Sequence, residues 1–176
     1  MNEILQHNFK TEKPVSIFTT TIVDSDMTTK IEEEIRKSGD KQDYKTNVKA
    51  YMTDWVMTDK PGFNQLSEKV KAISNFLSKK YYNRELEPRI SDMWGMIYKK
   101  GEYAIEHDHW PTLWSGVYYI KAPKNSGDIV FPHIKQQITP QDNMMIIFDG
   151  STRHSVKENL SDEERVAVSF NVKEII

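Results

Sequence analysis

A two-layer antiparallel β core supported by two helices, an α+β arrangement in which strands dominate, is the fold that the sequence predicts. Two observations carry this. After Glu87 the chain breaks into short β-rich runs separated by turn-like stretches, and before it two segments show helical period. A third sets the scale: 176 residues, with no internal repeat, low-complexity tract or linker, fit a single domain spanning 1–176.

Taken in order, the first helix is expected over 27–37. Met27, Ile31 and Ile35 fall four apart amid charges, Ser25 and Asp26 are candidate caps, and Gly39 follows as a stop. From Pro61, Phe63, Leu66, Val70, Ile73 and Leu77 step by threes and fours, which describes a helix with one buried stripe. Neither helix carries a cluster suited to catalysis, so 25–82 reads as helical support. Runs such as 32–34 are its solvated face. The β core, 88–173, is expected as strands over 93–99, 103–109, 115–120, 128–131, 143–148, 154–157 and 165–172. Turns at 99–101, 122–127 and 149–151 divide them. Short strands in succession suggest an antiparallel sandwich or barrel.

Composition removes several classes of function. With no cysteine, disulfides, thiolate metal sites and cysteine nucleophiles are excluded, and a metal site must use His, Asp or Glu. Hydrophobic residues make up 38% and charged residues 28%, as in an ordinary globular protein, and the net charge of −2 gives no general attraction to nucleic acid or anionic membrane. A local basic groove stays compatible with that charge. The polar start lacks the apolar stretch of a signal peptide, and the longest apolar run, 144–148, is too short to span a bilayer, so a soluble, intracellular (cytoplasmic) protein is expected. Glycine is sparse and no phosphate-cradling loop occurs. Ser151 and Ser155 lie near His154 but lack a nucleophile-elbow pattern.

Four of the five histidines, 107, 109, 133 and 154, lie in the β half. If His107-Asp108-His109 is strand, residues two apart project from one face and both imidazoles can reach one ion. His154 follows the expected 143–148 strand and a turn, where an antiparallel fold can return it alongside. Without thiolates such a cluster suits iron, zinc, copper or manganese. The plain alternative is three surface or hydrogen-bonded histidines. His133, after Phe131-Pro132, reads as a surface or rim residue.

The surrounding residues narrow this. The stretch Tyr98-Lys99-Lys100-Gly101-Glu102-Tyr103-Ala104-Ile105-Glu106-His107 resembles the approach to the metal in prolyl-hydroxylase-type oxygenases: a tyrosine, a glycine turn, then the first ligand. Ser115-Gly116-Val117-Tyr118-Tyr119-Ile120 resembles their next strand, and Arg165-Val166-Ala167-Val168-Ser169-Phe170-Asn171 the strand carrying their 2-oxoglutarate-binding basic residue. With the Ser-Ile-Phe start and Trp94 before the glycine turn, the chain is similar over roughly residues 15–173 to a family of small 2-oxoglutarate/iron(II) oxygenases of marine bacteria and their phages.

The resemblance implies a double-stranded β-helix, a cupin-like jelly roll, and an iron(II)- and 2-oxoglutarate-dependent hydroxylase using dioxygen. Its primary substrate could be a peptidyl proline, another side chain, a nucleobase or a small metabolite. A homodimer is compatible with it. It further implies His107, His109 and His154 as metal ligands and Arg165 as the bidentate partner of the distal carboxylate of 2-oxoglutarate. Ser169, Tyr98 and Tyr119 follow as further donors. Two departures stand out. Position 109 is His where the family has a carboxylate, leaving the metal charge uncompensated by protein, and the spacing from His154 to Arg165 is slightly long, with 157–164 as an expected loop. The competing function is a cupin-like β-barrel that binds a metal or ligand without turnover. Arg165 separates the two: if it faces solvent, opposite Val166, Val168, Phe170 and Val172, the non-catalytic barrel gains. Tyr98 and Tyr119 have packing as their alternative. Trp94, Trp110 and Trp114 are expected to fill core or line the pocket mouth.

Overall fold

A computed structural model of the chain describes residues 3–9, 15–38 and 46–174. Its elements run β1 (Ile4–Phe9), β2 (Val15–Thr21), α1 (Ser25–Lys37), β3 (Val48–Lys49), β4 (Tyr51–Met52), α2 (Phe63–Tyr82), β5 (Pro88–Tyr98), β6 (Tyr103–His107), β7 (Trp114–Lys121), β8 (Ile129–Phe131), β9 (Gln136–Ile138), β10 (Met144–Asp149), β11 (His154–Val156) and β12 (Arg165–Glu174). The strands form two antiparallel sheets. The major one has the order β1-β2-β10-β7-β12-β5-β4, and the minor one β3-β6-β11-β8-β9.

Both expected helices are present, on the outer face of the major sheet. α1 starts one residue earlier than the candidate caps suggest: Asp24 is the N-cap, its carboxylate accepting from the Met27 N–H at 3.1 Å. The expected stop, Gly39, lies outside the described residues. Met27, Ile31 and Ile35 are fully buried, each contributing roughly 1.5–3 kcal/mol by leaving water. The helix comes close to the sheet because β5 offers a glycine: a Cβ on Gly95 would stand 2.2 Å from Ile35 Cγ1. The α2 stripe, Phe63, Leu66, Val70, Ile73 and Leu77, joins the same layer.

The second apolar layer lies between the sheets. Trp94, Met96, Tyr98, Val117, Tyr119, Ile146, Phe148 and Ala167 from the major sheet meet Val48, Ala104, Ile129 and Phe131 from the minor one. The major sheet is thus buried on both faces. All seven expected strands occur, most with shifted ends. Five more strands, β1 to β4 and β9, complete the sheets where sequence pattern had given none. No helix among the described residues is long and apolar enough to cross a membrane.

Candidate metal centre

β6 and β11 pair antiparallel with His107 directly opposite His154. The expectation that His109 shares the strand is corrected: β6 ends at His107, and His109 belongs to the following loop. That loop is tied down locally. The His109 N–H donates to the Gly150 carbonyl at 2.7 Å, and the Thr112 hydroxyl donates to the His109 carbonyl at 2.8 Å. Asp108 turns outward; its exposed carboxylate accepts from the Trp110 N–H at 3.1 Å.

The three rings converge. Their centroids are 5.0 Å apart for His107–His109, 4.4 Å for His107–His154 and 5.2 Å for His109–His154, and one nitrogen from each lies within 4.8 Å of the others. Nδ1 of His107 donates to the Ile105 carbonyl at 2.7 Å, and Nδ1 of His154 to the Thr152 carbonyl at 2.9 Å. Those bonds fix the tautomer and leave Nε2 of both as a lone pair facing the cluster. Burial, above all, keeps the set uncharged. It pushes His154 down to about 3 and His109 to about 4, with repulsion from His107 adding to each, and it lowers His107 as well. Phe148 and Phe131 supply the low-dielectric wall beside His154, at 4.6 and 6.3 Å between rings. Three neutral imidazoles on one side of a cavity are a donor set that fits iron(II) or a similar divalent ion.

The cavity in front of them is narrow, about 30 Å³, and lies between the sheets. Its walls include Trp94, Met96, Tyr98, Val117, Ile129 and Ser169 besides the three histidines. A larger hollow of about 310 Å³, against α2 at Ile4, Thr20 and Lys69, holds no ligating cluster.

Arg165 settles the orientation of β12. It is fully buried, so its solvated alternative is overturned. The guanidinium stacks 4.0 Å over the Tyr98 ring, and Nη1 donates to the backbone carbonyls of Ser126 and Gly127. Nη2 is buried and has no hydrogen-bond partner among the described residues. Leaving a charged donor unsatisfied is costly, so this atom fits the role of receiving an anion. Tyr98 lines the cavity, and burial raises its hydroxyl to about 12, opposed in part by Arg165; it stays a donor. Ser169, on the same strand face as Arg165, lines the cavity too. Tyr119 is buried behind them, its hydroxyl likewise raised by burial.

Trp114 and Trp94 take the two expected places, core and cavity wall. Trp114 does not reach the mouth; it is buried on the helix side, its indole N–H bonded to Ser78 Oγ at 3.0 Å. Trp110 is exposed. The aromatic edge of the cavity is Trp94, 6.2 Å from the His109 ring, with half-exposed Trp55 packed on it at a tilt, 4.7 Å between rings. His133 is exposed in a short 3-10 turn, as expected.

Two supporting residues escaped the sequence reading. Gly127, at φ +92°, has no room for a side chain: a Cβ would stand 2.2 Å from the Lys157 carbonyl and 2.9 Å from Arg165 Nη1. Its sequence signal was only the glycine itself, at the end of the expected 122–127 turn. Asn159, fully buried in the expected 157–164 loop, donates through Nδ2 to the Tyr98 and Glu163 carbonyls at 2.9 Å and accepts from the Ser161 N–H at 2.9 Å. The longer spacing before Arg165 is therefore an ordered cap on the end of β5. Its sequence signal was the turn-prone Asn-Leu-Ser-Asp.

Comparison with known proteins places this geometry. A family model described as "Putative 2OG-Fe(II) oxygenase" matches residues 92–139, which include Trp94, Tyr98, His107, His109 and Tyr119. No curated protein sequence matches the chain. Among solved structures, the viral collagen prolyl hydroxylase of Paramecium bursaria Chlorella virus 1, in its 2-oxoglutarate complex, is 19% identical with a TM-score of 0.69, over 89% of this chain and 96% of that one. A Pseudomonas putida prolyl-4-hydroxylase is 12% identical with a TM-score of 0.66, over 90% and 92%. A Trichoplax adhaerens prolyl hydroxylase, solved with a hypoxia inducible factor peptide fragment, is 16% identical with a TM-score of 0.68, over 99% and 84%. At such identities the structures establish the fold, a double-stranded β-helix, across regions the sequence match leaves uncovered. This chain thus carries the 2OG-Fe(II) oxygenase sequence pattern over residues 92–139 within the double-stranded β-helix fold of the prolyl hydroxylases.

Proposed function

We propose that the chain is an iron(II)- and 2-oxoglutarate-dependent oxygenase in which His107, His109 and His154 hold the metal and Arg165 receives the distal carboxylate of the cosubstrate. One observation carries this assignment: convergent neutral imidazoles share a cavity wall with Tyr98, whose ring bears a buried guanidinium with one nitrogen unpartnered among the described residues. With both bound, iron(II) and the 2-oxo acid would reduce dioxygen: one oxygen atom would enter succinate as carbon dioxide leaves, and the other would hydroxylate a substrate C–H bond.

The chain's own part is positional. The carbonyls of Ile105 and Thr152 hold two rings with Nε2 inward. The carbonyls of Ser126 and Gly127 occupy Nη1 of Arg165 and leave Nη2 for a carboxylate oxygen. The Tyr98 and Ser169 hydroxyls add neutral donors. Phe131 and Phe148 keep water from the His154 side. With no carboxylate at position 109, the dianionic cosubstrate itself balances the metal charge, so metal retention is expected to tighten when 2-oxoglutarate is present.

The test is anaerobic titration with iron(II) and then 2-oxoglutarate, following the visible charge-transfer band of a chelated 2-oxo acid. The band is expected in the native protein and lost in His154→Ala. Its absence from the native protein, or persistence in the variant, removes the assignment.

A further inference from the structure

Met96 stands in the cavity between two hydroxyls assigned above to the cosubstrate. The Tyr98 hydroxyl points to Met96 Sδ at 3.5 Å and the Ser169 hydroxyl at 3.9 Å. Neither has another acceptor among the described residues. A thioether is a weak acceptor, and both contacts are long, so these donors are poorly served as they stand.

The room is short as well. Ligand clefts usually offer roughly 300–1,000 Å³, and the cavity here has about 30 Å³. A five-carbon dianion does not fit beside Met96 in this position. Relief must come from a side chain, because the β5 backbone is paired on both sides: Met96 sits opposite Ala167 of β12 and Met52 of β4. The rest of the wall is aromatic, imidazole, β-branched or very small. Met96 is the one long, unbranched chain there, with three rotatable bonds and a shape that adapts to irregular space.

The geometry points to Met96 as the gate of the cosubstrate end of the cavity, occupying the room that the distal chain of the acid needs and setting the length of 2-oxo acid accepted. When an acid enters, the Met96 side chain rotates away. The Tyr98 and Ser169 hydroxyls then exchange a thioether for a carboxylate, a charge-assisted bond that offsets the displacement. A shorter residue leaves space for one further methylene. A β-branched residue, stiff at χ1, holds the space closed. The inference rests on the oxygenase assignment and deepens it.

Three proteins test it: native, Met96→Ala and Met96→Ile, each loaded anaerobically with iron(II) and titrated with pyruvate, 2-oxoglutarate and 2-oxoadipate. The chelate band gives each Kd. Pyruvate carries the chelating group without a distal chain, and its Kd is expected to be equal in all three proteins, reporting an intact metal site. Met96→Ala should improve 2-oxoadipate relative to 2-oxoglutarate by about tenfold or more, the scale at which a pocket discriminates one methylene. Met96→Ile should weaken 2-oxoglutarate and 2-oxoadipate and leave pyruvate unchanged. In the zinc(II)-loaded native protein, the Met96 methyl resonance, assigned by its loss in Met96→Ala, should shift with 2-oxoglutarate and hold with pyruvate. Unchanged ratios across the three proteins, with an unshifted methyl, overturn the gate while leaving the metal site standing. Absence of the band with all three acids in all three proteins removes the oxygenase assignment and the gate together.

Discussion

The two faces of β12 are both largely buried and chemically opposite. Toward the helices stand Val166, Val168, Phe170 and Val172, all fully buried in one apolar layer. Toward the minor sheet stand Arg165, Ala167, Ser169 and Asn171, of which Arg165 is just as inaccessible. Alternation along a strand assigns residues to two sides but does not say which side carries chemistry. Here helices that hold no site residue decide it, because by covering the apolar face they turn the polar one inward.

Breaking each face in turn should separate folding from binding. Phe170→Ala, on the helix side, opens a core cavity and should cost about 3–5 kcal/mol of stability. The 2-oxoglutarate Kd should stay near native wherever the variant is folded; denaturant melts and the chelate titration check both. Arg165→Ala, on the inner side, should raise that Kd by about 100-fold or more, in line with truncating one partner of a buried charge pair. A small change would mean that another group anchors the acid.

The smallest effect concerns pH and sharpens the same contrast. In the metal-free protein His154 stays neutral to about pH 3, while in the unfolded chain it titrates near its ordinary value of 6.5. Between those values the unfolded state binds the extra proton, so stability rises with pH and is lost as pH falls below 6.5. The limiting slope is about 1.4 kcal/mol per pH unit for one such group. His154→Gln should flatten that slope; an equally steep loss in the variant would assign it to other groups.

Much of this was legible beforehand because it rests on local pattern. The α2 stripe announced its buried side, and the three histidines stood out in a chain without cysteine. What stayed hidden depends on neighbours. β2 carries a run of threonines with no clean alternation, and β3 and β4 are two residues each, so pairing rather than period defines them. His109 joins the cluster from a different element than expected, since a loop tied to Gly150 and Thr112 presents it. Trp114 could read as core or rim from sequence, and β7 places it in the helix layer beside Ser78. Asn159 read only as turn, because its three partners are distributed over Tyr98, Ser161 and Glu163.

The Arg165 cation is steadied by main-chain oxygens at Ser126 and Gly127. Such a mount is nearly invisible to alanine scanning, since truncating Ser126 leaves its carbonyl in place. The mount can be disturbed genetically mainly at Gly127, where any added side chain collides with the Lys157 carbonyl and the guanidinium itself. Drift around this anchor is therefore free in residue identity and constrained in backbone path.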